Sequence, residues 1–206
     1  FGRMVASDPS LNYDAAAQVA HSISTHKIQN EYDFFTAVDD RAPEDNDGAG
    51  HLGTTEFNSS TLYRYATVNV AELNCHLGKD TPMAVRGFAQ AFLLSMPTGK
   101  QNSFANRTLP DAVYVTVRRD QPINCAGAFE KPVIAGSNGY LAESEKQFVS
   151  YVKQVYQNFA NEPEAAFGIG TAEAFKEIAE MMPLQQMLDA LEDRVAEYIA
   201  GDGESI

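Results

Sequence analysis

The order of elements in this chain predicts an α+β fold, an antiparallel sheet with helices packed against one side. Three observations carry that expectation. Two segments alternate in the manner of strands, "TLYRYATVNV" (61–70) and "AVYVTVR" (112–118). Stretches with helical caps, periods and stops lie around them. A long insert with neither signature, residues 28–60, interrupts the series.

In order, a short strand from Phe1 to Ala6 gives way to a turn at Asp8-Pro9-Ser10. A helix follows from Asn12 or Asp14 to His26, capped by its Asn/Asp and carrying Ala15, Val19 and Ile23 at four-residue spacing. Residues 28–60 form an irregular region, and loops of that length inside a domain are usually functional or disordered. In the strand 61–70, Leu62, Ala66, Val68 and Val70 share a face with Arg64, and Tyr63, Tyr65, Thr67 and Asn69 share the other. Asp80 or Thr81 then caps a helix with Pro82 in its first turn, ending by Met96 before Pro97 and Gly99. In the second strand Val113, Val115 and Val117 alternate with Tyr114, Thr116 and Arg118. Helices follow at 144–160, opened by a Ser144…Gln147 capping box, at 171–182, and at 184–200, ended by Gly201. A ferredoxin-like sheet has four strands and only three are visible. "FGRMVA" opens without an initiator methionine, as if on a strand already under way. Both features raise the expectation that an N-terminal strand is missing.

With 206 residues, 44% of them hydrophobic, the chain can bury one good core, possibly with an appendage. No apolar run approaches the ~20 residues that span a bilayer, and no secretory leader pattern opens the chain. A cytoplasmic protein without membrane partners is expected, with Cys75 and Cys125 as buried free thiols. The net charge of −13 argues against indiscriminate nucleic-acid binding. The charge is uneven, however. Residues 1–131 hold 11 basic and 15 acidic side chains, and residues 132–206 hold 4 and 13. The acidity belongs mostly to the solvated faces of the C-terminal helices.

No metal or cofactor site emerges. "EDNDGAG" places Asp45, Asp47 and Gly48 as in a calcium loop, but the first and twelfth positions fall on Pro43 and Thr54, which supply no carboxylate. His21 and His26 are five apart and face different ways on a helix. Asp39-Asp40 could hold Mg²⁺ for phosphodiester cleavage, or simply cap a turn. Residues 41–50 are Pro-, Asp- and Gly-rich and bury nothing, which predicts mobility without a ligand. The stretches "YDFFTAVDD" (32–40) and "GAGHLGTTEFNSSTLYRY" (48–65), within the insert 28–60, suggest a projecting clamp. Phe34-Phe35 stand at its base, glycines 48, 50 and 53 bend its tip, and Leu52 sits on that tip. Apolar wedges and aromatic platforms hold unstacked RNA in this manner. A loop folded back on its own core is the other physical reading.

The stretches "FGRM" (1–4), "QVAHSISTH" (18–26), "DFFTAVDD" (33–40), "AGHLGTTEFNSSTLYRYATVNV" (49–70), "KQNSFAN" (100–106) and "AGAFEKPV" (126–133) resemble the CRISPR-associated backbone subunit of the type I-E Cascade complex, the CasC family. The resemblance implies an RNA-recognition-motif-like (ferredoxin-like) palm, residues 1–27 and 61–206, with residues 28–60 as a protruding thumb. It implies a non-catalytic subunit of an antiviral ribonucleoprotein. Several copies would polymerise along a CRISPR guide RNA with other Cascade subunits, displacing a base at intervals and leaving the rest to pair with target DNA. Carried onto this chain, Met4 becomes the palm-side wedge, Phe34, Phe35 and Thr36 the thumb-base contacts, and Leu52 the tip contact. The family more often has tryptophan where Phe34 stands, so the stacking face is kept and the indole donor lost. Arg3, Arg64 and Lys131 are the candidates for phosphate contacts. Backbone subunits of related type III effectors cut RNA with a thumb-loop aspartate. A metal-dependent endoribonuclease using Asp39 or Asp40 is therefore the alternative.

Overall fold

The computed structural model describes residues 2–37, 51–170 and 172–202. The strands are β1 Ala17–Val19, β2 Ile23–Ser24, β3 Glu31–Ala37, β4 His51–Phe57, β5 Leu62–Tyr63, β6 Ala66–Val68, β7 Val113–Val117, β8 Ala165–Ile169 and β9 Glu180–Met181. The helices are α1 Val70–Leu77, α2 Thr81–Leu94, α3 Gln101–Phe104, α4 Gly139–Asn158 and α5 Leu184–Asp202. Small, mainly antiparallel sheets with helices make this an α+β protein.

The alternation of β7 organises the centre. It pairs antiparallel with β8, and β8 pairs in parallel with β9. Val113, Val115 and Val117, with Phe167 and Ile169 of β8, face Val85 of α2 and Met187, Leu188, Leu191 and Val195 of α5. The last four repeat at helical spacing, which is why this stretch forms an amphipathic helix with that stripe inward. Fully burying one such side chain is worth roughly 1.5–3 kcal/mol. Tyr114 points the opposite way, into a second cluster of Phe148, Val149 and Val152 of α4 with Phe175 and Cys125. Helices thus cover both faces of this sheet, where one covered side was expected. The sheet has no polar face to spare.

A second strand pair runs beside this core. β1 pairs with β6 at Ala17↔Val68 and Val19↔Ala66, and β2 with β5 at Ile23↔Tyr63. Three residues separate β1 from β2 and two separate β5 from β6, so the N-terminal strand carries one extra residue, a bulge. The expected helix at 12–26 is therefore extended backbone. The Ala15/Val19/Ile23 spacing is compatible with either element, since four residues are one helical turn and also two strand periods, and all three side chains are exposed.

Other boundaries also shift. The expected strand 1–6 reduces to a single bridge, Arg3↔Tyr13. The strand expected over 61–70 breaks at Arg64-Tyr65 and stops at Val68, because Asn69 accepts from the Glu72 amide and caps α1. Ser144 lies inside α4, its hydroxyl 2.8 Å from Thr25 Oγ1, and Gln147 donates to the carbonyls of Ala128 and Lys131. The capping box does not form, because both side chains are engaged elsewhere. The helix expected at 171–182 is a 3₁₀ turn, Glu173–Glu177, followed by β9. Residues 28–60 contain a regular two-stranded ribbon, β3 against β4, where an irregular region was expected.

Candidate nucleic-acid interface

The ribbon carries most of the aromatic side chains singled out in the sequence, and its register decides what they can do. Glu31 pairs with Phe57, Phe35 with Gly53 and Thr36 with Leu52. Side chains alternate across a strand, so Tyr32, Phe34 and Thr36 occupy one face with Thr54 and Glu56. Glu31, Asp33 and Phe35 occupy the other with Thr55 and Phe57. Adjacent in sequence, Phe34 and Phe35 look in opposite directions.

Their surroundings differ accordingly. Phe34 is 70% exposed and Tyr32, on the same face, 57%. Phe35 is 47% exposed, and its ring lies over Gly53, where an added Cβ would come within 2.3 Å of the ring's Cζ. The glycine permits a close cross-strand cover of the backbone. At the ribbon base Phe57 meets Phe104 of α3 edge-on, with centroids 5.2 Å apart. Asn30 bonds Glu56 and Asn58 across the two legs.

The other predicted contacts lie apart from the ribbon. Met4 is 86% exposed on the N-terminal segment. Beside it, Arg3 donates to the Leu11 carbonyl at 2.8 Å and stands over the Tyr13 ring. Arg64 donates to the Phe92 carbonyl at 3.0 Å and lies 4.6 Å over that residue's ring. The side chain of Lys131 is exposed beside α4, with its carbonyl taken by Gln147. Asp39, Asp40 and the segment 41–50 lie outside the described residues. Among the described residues no cluster of His, Cys, Asp or Glu could hold a metal ion, and no helix is long and apolar enough to cross a membrane.

The cations divide into two sets. Arg86, Arg118, Lys146, Lys153, Lys176 and Arg194 pair with carboxylates, as does Arg119 with Glu164. The Asp120 carboxyl, held by Arg118, stays below the usual carboxylate range. Arg3, Lys27, Arg64, Lys79, Lys100, Arg107 and Lys131 have no carboxylate partner among the described residues. All seven fall within residues 1–131, so the acidic C-terminal third neutralises its own cations. Lys100 and Arg107 flank α3 at the ribbon base, and Arg107 lines a cavity of about 450 Å³ with Leu94, Met96, Gln101 and Leu109.

Sequence reasoning missed Tyr32, Lys100 and Arg107. The alternation in "EYDFFTA" would have marked Tyr32 as sharing a face with Phe34, had the segment been read as a strand. Tyr63 is structural, as its strand position suggests. Its hydroxyl accepts from the Cys125 amide and bonds Asn124, and its ring packs on Phe129 and Phe148. Burial raises its phenol well above the ordinary tyrosine range.

The family model described as CT1975-like protein matches residues 1–194. Two solved chains are similar. One belongs to a CRISPR RNA-guided surveillance complex described as pre-nicking, with 35% identity over 95% of this chain and 54% of that chain, and a TM-score of 0.79. Another belongs to a CRISPR RNA-guided surveillance complex, with 36% identity over 92% of this chain and 76% of that chain, and a TM-score of 0.75. The chain thus spans about half the length of the first and three quarters of the second. No curated protein matches.

Proposed function

The chain belongs to the CT1975-like protein family, and from that premise we propose that it is the CRISPR RNA-binding backbone subunit of a Cascade-type surveillance complex. In this reading residues 28–60 are the thumb, and residues 1–27 and 61–206 an RNA-recognition-motif-like palm. Copies polymerise along a guide RNA with other subunits in the cytoplasm, and the guide pairs with target DNA. The subunit organises RNA and cuts nothing.

The observation that carries this reading is the ribbon. It is two strands paired with one another, with Tyr32 and Phe34 exposed on one face and Phe35 on the other. Exposed aromatic residues on a protruding element suit unstacked bases, which present apolar faces to any ring. Lys100 and Arg107 at its base, with no carboxylate partner among the described residues, suit phosphates. Met4, Phe34, Phe35, Thr36 and Leu52 serve as base contacts, and Arg3, Arg64 and Lys131 as further phosphate contacts. Because Phe34 and Phe35 face opposite ways, they grip the RNA from two sides or serve two neighbouring nucleotides.

The test is assembly on a CRISPR RNA, followed by gel shift and electron microscopy, with Mg²⁺ and a complementary RNA added in a separate arm. Regular filaments or complexes with intact RNA support the proposal. Failure to bind guide RNA overturns it, and metal-dependent cleavage lost in Asp39→Asn or Asp40→Asn would reassign the subunit as a nuclease.

A further inference from the structure

We propose that His26 is the positioning residue of the ribbon, tying its two legs together at the root, seating them on α4, and so fixing where the aromatic face points. The proposal rests on reading the ribbon as an RNA clamp.

His26 lies two residues past the end of β2 and five before β3, on the chain entering the first leg, and Thr61, four residues past β4, lies on the chain leaving the second, next to β5. The ring's Nδ1 lies 2.9 Å from the Lys27 carbonyl, and its Nε2 lies 3.1 Å from the Thr61 amide nitrogen. A carbonyl only accepts and an amide N–H only donates. The partners therefore dictate the neutral tautomer with the proton on Nδ1, one nitrogen serving each leg. The ring stacks on Tyr140 in the first turn of α4, centroids 3.8 Å apart and planes 16° from parallel. Around it the Thr25 amide donates to the Thr61 carbonyl and the Val133 amide to the Thr25 carbonyl. The residue is 9% exposed.

Beyond this point the legs are loosely joined. No backbone hydrogen bond links 28–30 with 58–60, and pairing resumes only at Glu31↔Phe57. The side-chain bonds between, Asn30 to Glu56 at 3.5 Å and Asn58 to Asn30 at 3.4 Å, are long and exposed. His26 is thus the last firm tie before the ribbon. Phe34 lies eight residues further on, at most about 27 Å away in extended chain. A tilt of about 10° at the root would move it by roughly 5 Å, more than the reach of a ring–base contact.

A buried histidine that only fills space predicts something different, and three variants separate the two. His26→Phe keeps the stack on Tyr140 and loses both hydrogen bonds, His26→Gln restores an acceptor for the Thr61 amide, and Phe34→Ala removes an RNA contact directly. Melting and assembly on guide RNA are measured for each. The expected result is assembly weakened about tenfold in His26→Phe, with only a modest fall in melting temperature and partial recovery in His26→Gln. Wild-type assembly by His26→Phe overturns the proposal. If Phe34→Ala also assembles normally, the clamp reading itself has failed. If Phe34→Ala is defective and His26→Phe is not, only the positioning role is lost. Nitrogen-15 spectra of the unaltered protein decide independently of folding in the variants. A proton on Nε2, or fast exchange of the Thr61 amide, refutes the tie, and a proton on Nδ1 with a protected amide supports it.

Discussion

Alanine at Phe34 and alanine at Phe35 should have different consequences, although the residues are neighbours. A phenylalanine side chain offers about 200 Å² of surface. At 70% exposure Phe34 has roughly 60 Å² covered, and at 47% Phe35 has roughly 105 Å² covered. At about 25 cal/mol per Å², truncation removes about 1.5 kcal/mol of burial at Phe34 and about 2.6 kcal/mol at Phe35. Both are upper bounds, because an unfolded ribbon keeps some of its own contacts. The RNA side runs the other way, since losing a base stack of about 1–3 kcal/mol weakens binding by roughly fivefold to 150-fold. Among the described residues the ribbon's strands pair only with each other, so the folding loss is read in exchange rates of the 31–37 amides as well as in the global melt. Phe34→Ala should leave those rates near wild type and weaken assembly on guide RNA. Phe35→Ala should speed ribbon exchange clearly. Faster exchange in Phe34→Ala than in Phe35→Ala, or full assembly by Phe34→Ala, would refute the assignment of faces.

Glu145 is buried, and desolvation, reinforced by Asp111, raises its carboxyl above the ordinary glutamate range. The folded state therefore holds the proton more tightly than the unfolded chain, and stability falls as pH rises through the interval between the two values. Glu145→Gln should melt higher than wild type at pH 7, with the difference vanishing below the ordinary glutamate range in a pH series of melts. Burial pushes the Cys125 thiol up to about 11. Cys75 is exposed, where a buried thiol was expected, so iodoacetamide at neutral pH should label it first and leave Cys125 intact until the protein is unfolded, as peptide mapping would show. Gly170 adopts φ +137 and a Cβ there would lie 2.9 Å from the Asp111 carbonyl. Gly170→Ala should cost at least about 1–2 kcal/mol in urea unfolding. On the proposed phosphate contacts, removing Lys100 or Arg107 should flatten the salt dependence of guide binding by about 0.7 in log–log slope.

The parts of the fold set by local signals were legible in the sequence. Pro82 marked the start of α2, the alternation of Val113, Val115 and Val117 with Tyr114 gave both faces of the central strand, and Leu184 opens α5 as expected, although the helix runs past Gly201 to Asp202. What escaped depended on distant partners. Ala15-Ala16-Ala17 is good helix material, yet Ala17 finds its partner in Val68, far along the chain, and pairing overrides propensity. "AAFGI" at 165–169 is short and glycine-bearing, and becomes a strand because β7 offers it an edge. There Gly168 leaves room for Met181, whose sulfur would lie 2.5 Å from an added Cβ. The candidate interface was legible as chemistry but not as geometry. Phe34 and Phe35 could be named from the sequence, whereas their opposed directions required the ribbon's register.

The ribbon has a cost that its carboxylates offset. Among the described residues its strands pair only with each other, which leaves an open edge on each side. Edges of this kind, rich in aromatic residues, are templates on which further copies can add, the first step of fibrous aggregation. Glu31 and Asp33 on one strand and Glu56 on the other place negative charge along both edges. A second ribbon brought alongside would meet like charge. On the proposed function, carboxylates beside an RNA-contacting face would hold free copies apart until guide RNA is bound. Neutralising all three as Gln, Asn and Gln should produce precipitation well before any loss of fold.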